Sequence, residues 1–145
     1  MRVPMKVDYG VRALVYLAQN YGADRRPIQA AEIASRQSIP EAYLDQLLTT
    51  LHKFGFIHSR RGPQGGHALA QPPEEISLNM VMAMLEGTGA HHLDCIEDPD
   101  ECTLSGTCAQ REVWRTIEDS VQSLLSSTSI ADLVSRQRQL SVRGV

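Results

Sequence analysis

Ile39-Pro40-Glu41-Ala42-Tyr43-Leu44-Asp45-Gln46-Leu47-Leu48-Thr49-Thr50-Leu51-His52-Lys53-Phe54-Gly55 is the stretch on which the fold turns. Leu44, Leu47, Leu48 and Leu51 recur at intervals of three and four, which places them on one stripe of a helix. Pro40 suits the first turn and Gly55 the end. Opposite the leucines stand Glu41, Ala42, Asp45, Gln46, Thr49 and Lys53. The pattern predicts a helix with one buried stripe and one polar face turned outward.

Working outward, Ser38-Ile39-Pro40 reads as a tight break. Before it, residues 28–37 read as a short helix that buries Ala31, Ile33 and Ala34. A first helix spans about Val7 to Asn20, with Val7, Val11, Leu14, Val15 and Ala18 at helical spacing. Tyr21-Gly22-Ala23-Asp24 and Pro27 separate the two. After Gly55, Phe56-Ile57-His58-Ser59-Arg60 reads as a strand. Arg61-Gly62-Pro63-Gln64-Gly65-Gly66 is a turn, and His67-Ala68-Leu69-Ala70 a return strand. Helix, helix, tight turn, helix and hairpin, in that order, is a winged helix-turn-helix. Further on, Ser77 caps a helix carrying Leu78, Val81, Met82 and Leu85, which ends at Gly87 and Gly89. A long helix follows over 109–126, with Val113, Trp114, Ile117, Val121, Leu124 and Leu125 on one face. Ser129 and Asp132 form a capping box for a short last helix to about Gln139, and the final five residues read as a free tail. The fold class is therefore mainly α with a small β-hairpin wing. Three regions are expected: a winged helix-turn-helix unit over 1–89, a cysteine loop over 90–108, and a long helix with its tail over 109–145.

The arrangement suits double-stranded DNA. A short helix braces the next one, which offers its polar face to the major groove. Gln46 can read adenine, Asp45 can accept from cytosine, and Thr49 or Thr50 can meet phosphate or base edges. Arg60 and Arg61 sit beside Gly62 and Pro63 on the wing, where an arginine fits an adjacent minor groove. An ordinary amphipathic core helix and a solvated hairpin carry the same periodicities; the order of the elements is what favours DNA. The charge distribution agrees. The 145 residues carry a formal charge of −3, yet residues 1–75 hold nine Lys/Arg against seven Asp/Glu, and residues 76–145 hold five against ten. No acid occurs from Gln46 to Pro73, a stretch containing Lys53, Arg60 and Arg61. That basic surface is what phosphate contact needs.

The three cysteines, Cys95, Cys102 and Cys108, share one loop that runs into the long helix. No apolar run is long enough to span a bilayer and no signal peptide is visible, so a reducing cytoplasm is expected. There, clustered thiols point to metal or redox chemistry rather than disulfides. Zinc favours two-residue spacings; Cys-x6-Cys-x5-Cys fits a bulkier iron–sulfur cluster better. Zinc or a thiol switch remains the alternative. A fourth position is open to Asp8, His91, His92 or an external ligand. The loop acids (Asp94, Glu97, Asp98, Asp100, Glu101) are expected to face solvent.

Four segments together resemble the Rrf2 family of bacterial transcription regulators, which includes IscR and NsrR. They are Met5-Lys6-Val7-Asp8-Tyr9-Gly10-Val11-Arg12-Ala13-Leu14, Ile39 to Leu48, the wing Arg61 to Gly66, and the cysteine loop ahead of a Trp-containing helix. The resemblance covers nearly the whole chain. It implies a homodimer through residues 109–126 and cluster ligation by Cys95, Cys102 and Cys108. It also implies DNA contacts near Tyr43, Asp45 and Gln46, with Arg61 in the minor groove. IscR-like members place a histidine ligand where this chain has Arg111. NsrR-like members use an N-terminal aspartate of the partner subunit, and Asp8 matches it. The first cysteine spacing is one residue longer than usual. The function implied is a sequence-specific repressor on a palindromic operator, sensing iron, redox state or nitric oxide through the cluster. The alternative is a metal-free regulator of the same fold, controlled by thiols or a partner. No phosphate loop, nucleophile elbow or catalytic carboxylate pair supports an enzyme, and an electron carrier would need no basic hairpin.

Overall fold

The computed structural model describes residues 2–22, 24, 26–87 and 93–144. The apolar stripes fold as α1 (Met5–Gln19), α2 (Ala30–Gln37) and α3 (Glu41–Lys53). The hairpin follows as β1 (Ile57–Arg60) and β2 (Gly66–Leu69), then come α4 (Leu78–Glu86) and the four-residue α5 (Asp94–Glu97). Two long helices, α6 (Ala109–Ser127) and α7 (Ile130–Val142), complete the order. Leu44, Leu47, Leu48 and Leu51 of α3 are all buried, while Glu41, Asp45, Gln46, Thr49 and Lys53 are exposed. The leucines join Leu14, Ile33, Phe56, Ile57, Ile76 and Val81 in one core. α1 runs through its centre and packs against α2, α3, α4 and α7. Gly10 permits the approach to α4: a Cβ there would lie 2.6 Å from Leu85 Cδ1.

The hairpin is antiparallel, with Ile57 opposite Leu69 and Arg60 opposite Gly66. A further one-residue bridge joins the other edge of β2. Ile28 exchanges two backbone hydrogen bonds with His67, at 2.9 and 2.8 Å. The sequence reading placed Ile28 in the first turn of α2; it is instead extended, a backbone state that a β-branched side chain favours. The helix starts after Gln29, whose Nε2 donates to the Gly65 carbonyl at 2.9 Å. Ala31 is exposed rather than buried, because Ile33 and Ala34 take the core side of this two-turn helix and a residue two positions away faces elsewhere. Ser38, in the left-handed region at φ 53°, turns the chain into α3.

Ser77 caps α4 by accepting from the Met80 N–H, and Ser129 and Asp132 form the expected capping box. Two hydrogen bonds from the Ser129 N–H and hydroxyl hold the Asp132 carboxyl below its usual pKa. α7 then returns to the core through Ile130 and Val134. It runs through Val142, past the expected end at Gln139. Its last turns are exposed, and the run Ser135 to Gln139 is polar, so the apolar periodicity fades before the helix does. The cysteine loop is more ordered than a plain loop: beside α5 it holds helical turns at Pro99–Glu101 and Ser105–Thr107. Gly89, His91 and His92 lie outside the described residues. Among the described residues, no helix is long and apolar enough to cross a membrane.

Candidate functional site

α3 and the wing form one outward surface. Glu41, Asp45, Gln46, Thr49 and Lys53 are exposed on α3, and Arg60, Arg61, Gly62 and Pro63 are exposed at the wing. Tyr43, by contrast, is half-buried. Thr49 and Thr50 donate their hydroxyls back to the carbonyls of Asp45 and Gln46, at 2.9 and 3.1 Å. Each hydroxyl oxygen therefore faces outward as an acceptor unless it rotates. His52 Nδ1 lies 3.1 Å from the Ile57 carbonyl, which can only accept, so this nitrogen carries the proton and ties the end of α3 to β1. On β2, His67 Nδ1 pairs with Ser59 Oγ at 2.8 Å. Burial lowers the His67 pKa below its usual 6.5; Asp45 opposes that shift and His52 adds to it.

Behind α3 lies a polar relay that connects three helices. Arg12 on α1 grips both oxygens of Asp8: Nε to Oδ1 at 3.2 Å and Nη2 to Oδ2 at 2.8 Å. Its Nη1 reaches the Gln37 carbonyl at the end of α2, at 3.4 Å. The same guanidinium stands 5.5 Å from the Tyr9 ring centroid, within cation–π range. Tyr9 in turn meets the Tyr43 ring of α3 edge-on, with centroids 5.5 Å apart. Asp8 is thus joined, through one arginine and two tyrosines, to the helix that carries the polar face. Sequence reasoning singled out Asp8 and Tyr43 but missed Arg12 and Tyr9. The i,i+4 spacing of Asp8 and Arg12 was the visible signal.

Cys95, Cys102 and Cys108 are free thiols, each half-buried. Among the described residues, no three or more His, Cys, Asp or Glu side chains converge as a metal-holding group, so neither the three thiols nor Asp8 are gathered within one chain. The loop acids Asp94, Glu97, Asp98, Asp100 and Glu101 are exposed, as expected. Arg111 is half-buried, and its Nε–H donates to the Cys95 carbonyl. Its Nη2 and the Ser105 hydroxyl are buried without a hydrogen-bond partner among the described residues.

Comparison with known proteins gives this geometry a family. The model of Rrf2, described as an iron-dependent transcriptional regulator, matches residues 3–136. The HTH-type transcriptional regulator IscR of Photorhabdus laumondii is 32% identical over 145 residues, covering 99% of this chain and 85% of that protein. The structure of IscR from T. potens superposes with a TM-score of 0.74 at 31% identity, covering 94% of this chain and 88% of that one. CymR of B. subtilis, described as its global cysteine regulator, superposes with a TM-score of 0.77 at 31% identity, covering 94% and 98%. The helix order, the wing and these matches together place the chain in the Rrf2 family of transcriptional regulators, whose role is regulatory rather than enzymatic.

Proposed function

We propose that this regulator is a sensor whose signal enters at the cysteine loop and leaves at the α3–wing surface. Gln46, Asp45, Thr49 and Glu41 read or align on base edges of a palindromic operator. Lys53, Arg60 and Arg61 hold phosphates or enter the minor groove, with Gly62 and Pro63 shaping the tip. A homodimer paired through α6 sets the half-site spacing. The role is that of a cytoplasmic repressor.

The signal-receiving group we assign is an iron–sulfur cluster on Cys95, Cys102 and Cys108, with Asp8 of the partner subunit as fourth ligand. The fit is one of chemistry. Three free thiols are soft ligands suited to iron–sulfur groups. Two buried polar atoms, Ser105 Oγ in the loop and Arg111 Nη2 just after it in α6, have no hydrogen-bond partner among the described residues and could donate to an anionic group there. When bound, such a group supplies a centre sensitive to redox state, iron supply and nitric oxide. The chain's own residues carry the consequence. Both oxygens of Asp8 are held by Arg12. A carboxylate that ligates a metal through one oxygen gives that oxygen's charge to the metal, which weakens its bond to Arg12 and with it the Arg12 grip on Gln37 and Tyr9 that seats Tyr43 on α3. That relay is the single observation that carries the proposal, because it joins the candidate ligand to the DNA-facing helix.

Two observations favour a second reading. The thiols do not converge among the described residues, and a structural neighbour is described as a cysteine regulator. A metal-free thiol- or partner-controlled regulator would fit both facts. Anaerobic purification separates the two, with iron and acid-labile sulfide analysis and an absorption spectrum. A brown protein containing both elements is expected; a colourless, metal-free protein establishes the second reading.

A further inference from the structure

Gln29 sits where the two DNA-facing elements meet. Its backbone opens α2: the carbonyl accepts from the Glu32 and Ile33 N–H groups, at 3.0 and 3.2 Å. Its side chain reaches the wing, where Nε2 donates to the Gly65 carbonyl at 2.9 Å. A carbonyl can only accept, so the amide nitrogen must be the atom that faces it. α2 in turn packs on α3 and hands the chain to it, with the Ile39 N–H donating to the Ala34 carbonyl at 3.0 Å. One exposed side chain therefore spans from the frame of α3 to the turn of the wing.

The far end of that hydrogen bond matters. Gly65 is buried, and its N–H donates to the Gly62 carbonyl at 2.9 Å, closing the turn that carries Gly62 and Pro63. The turn folds back so closely that a Cβ on Gly65 would run into the backbone of Arg60 and Arg61. The side chains of those two arginines make no hydrogen bond or ion pair among the described residues. Their placement is therefore set by the backbone they share with the turn. The Ile28–His67 bridge anchors the base of the wing; Gln29 anchors its turn.

We propose that Gln29 is a positioning residue for DNA binding: by holding the Gly65 carbonyl it fixes the wing turn, and with it Arg60 and Arg61, relative to α2 and α3. The proposal rests on the reading of α3 and the wing as the DNA-facing surface. In the free protein the bond adds little to stability, because Gln29 is exposed and its truncation opens no core. On a duplex, contacts from α3 and from the wing are made together. A loose wing must be ordered at that moment, at a cost in affinity.

The test is a double-mutant cycle on the full-length protein, with an operator selected in vitro from random-sequence DNA. Its arms are Gln29→Met, which keeps the length and loses the donor, the Arg60→Ala/Arg61→Ala pair, and the combination. Operator affinity is titrated at several salt concentrations, and each protein is unfolded in urea. Gln29→Met is expected to unfold near the wild-type midpoint, to bind about three- to tenfold more weakly and to show a shallower salt slope. Without the wing arginines, the same substitution is expected to change affinity by less than about twofold, because nothing remains to position. Gln29→Ala takes its place in the cycle if Gln29→Met does not fold. An equal fall in affinity with and without the arginines overturns the proposal, since Gln29 then acts on DNA or on α3 directly. Wild-type affinity in Gln29→Met overturns it too, as does a fold lost in both Gln29 variants, which makes the bond a brace. If Arg60→Ala/Arg61→Ala itself binds as wild type does, the reading of the wing falls and the proposal with it.

Discussion

At the scale of single residues, function divides between side chains that face outward and side chains that hold them there. Arg61 is exposed on the wing, and its side chain makes no hydrogen bond or ion pair among the described residues. Arg61→Ala is therefore expected to leave folding intact, weaken DNA binding and reduce the salt slope of log affinity by about 1. Titrations of a selected operator at several salt concentrations check this; an unchanged slope removes Arg61 from the phosphate-facing set. His67 behaves differently, because its ring is half-buried between strand and helix. Burial, with His52, lowers its pKa against the opposing pull of Asp45. The unfolded chain therefore takes up the proton first. The stability that depends on neutral His67 is present above about pH 6.5 and is lost as pH falls through the lowered folded value. His67→Gln is expected to flatten that loss. Urea midpoints at pH 7.5 and 5.5 measure it, and parallel curves for the two proteins contradict it.

At the scale of elements, the wing depends on a close backbone contact rather than on its own two strands. Gly66 has φ +136°, and a Cβ there would stand 2.6 Å from the Ile28 backbone. Gly66→Ala is expected to cost about 1–3 kcal/mol in unfolding free energy from strain alone, and more if the Ile28–His67 rung opens. Denaturant unfolding gives the cost, and a neutral substitution refutes the account of the wing. This contact also marks the boundary of what the sequence makes legible. The leucine stripe of α3, the hairpin turn and the Ser129–Asp132 box are local patterns, readable from spacing. The extended state of Ile28 is set by a partner far along the chain, and no local propensity announces it. Likewise Asp8, Tyr43 and the cysteines stood out as residue types in motifs. The grip of Arg12 on Gln37 and of Arg111 on Cys95 needed the fold, since it joins groups that are distant in sequence.

At the scale of the whole molecule, α6 is unfinished. It touches α4 and α5, but none of its side chains is buried. Val113, Trp114, Ile117 and Leu124 remain 57, 48, 48 and 68% exposed on one long helix. Aligned apolar side chains of this size are what a second subunit covers. Ile117→Glu is expected to yield a monomer by sedimentation and to lower operator affinity through lost half-site pairing. A dimer of unchanged stability relocates the interface.

The same scale holds the central claim, that occupancy of the cysteine loop governs DNA binding through Asp8, Arg12, Tyr9 and Tyr43. Its most direct measurement is the operator affinity of anaerobically prepared wild type beside Cys102→Ala, at one salt concentration, with the visible spectrum recorded on the same samples. The account predicts that Cys102→Ala loses the chromophore and binds the operator with altered affinity. A variant that loses its colour yet binds as wild type does would contradict it.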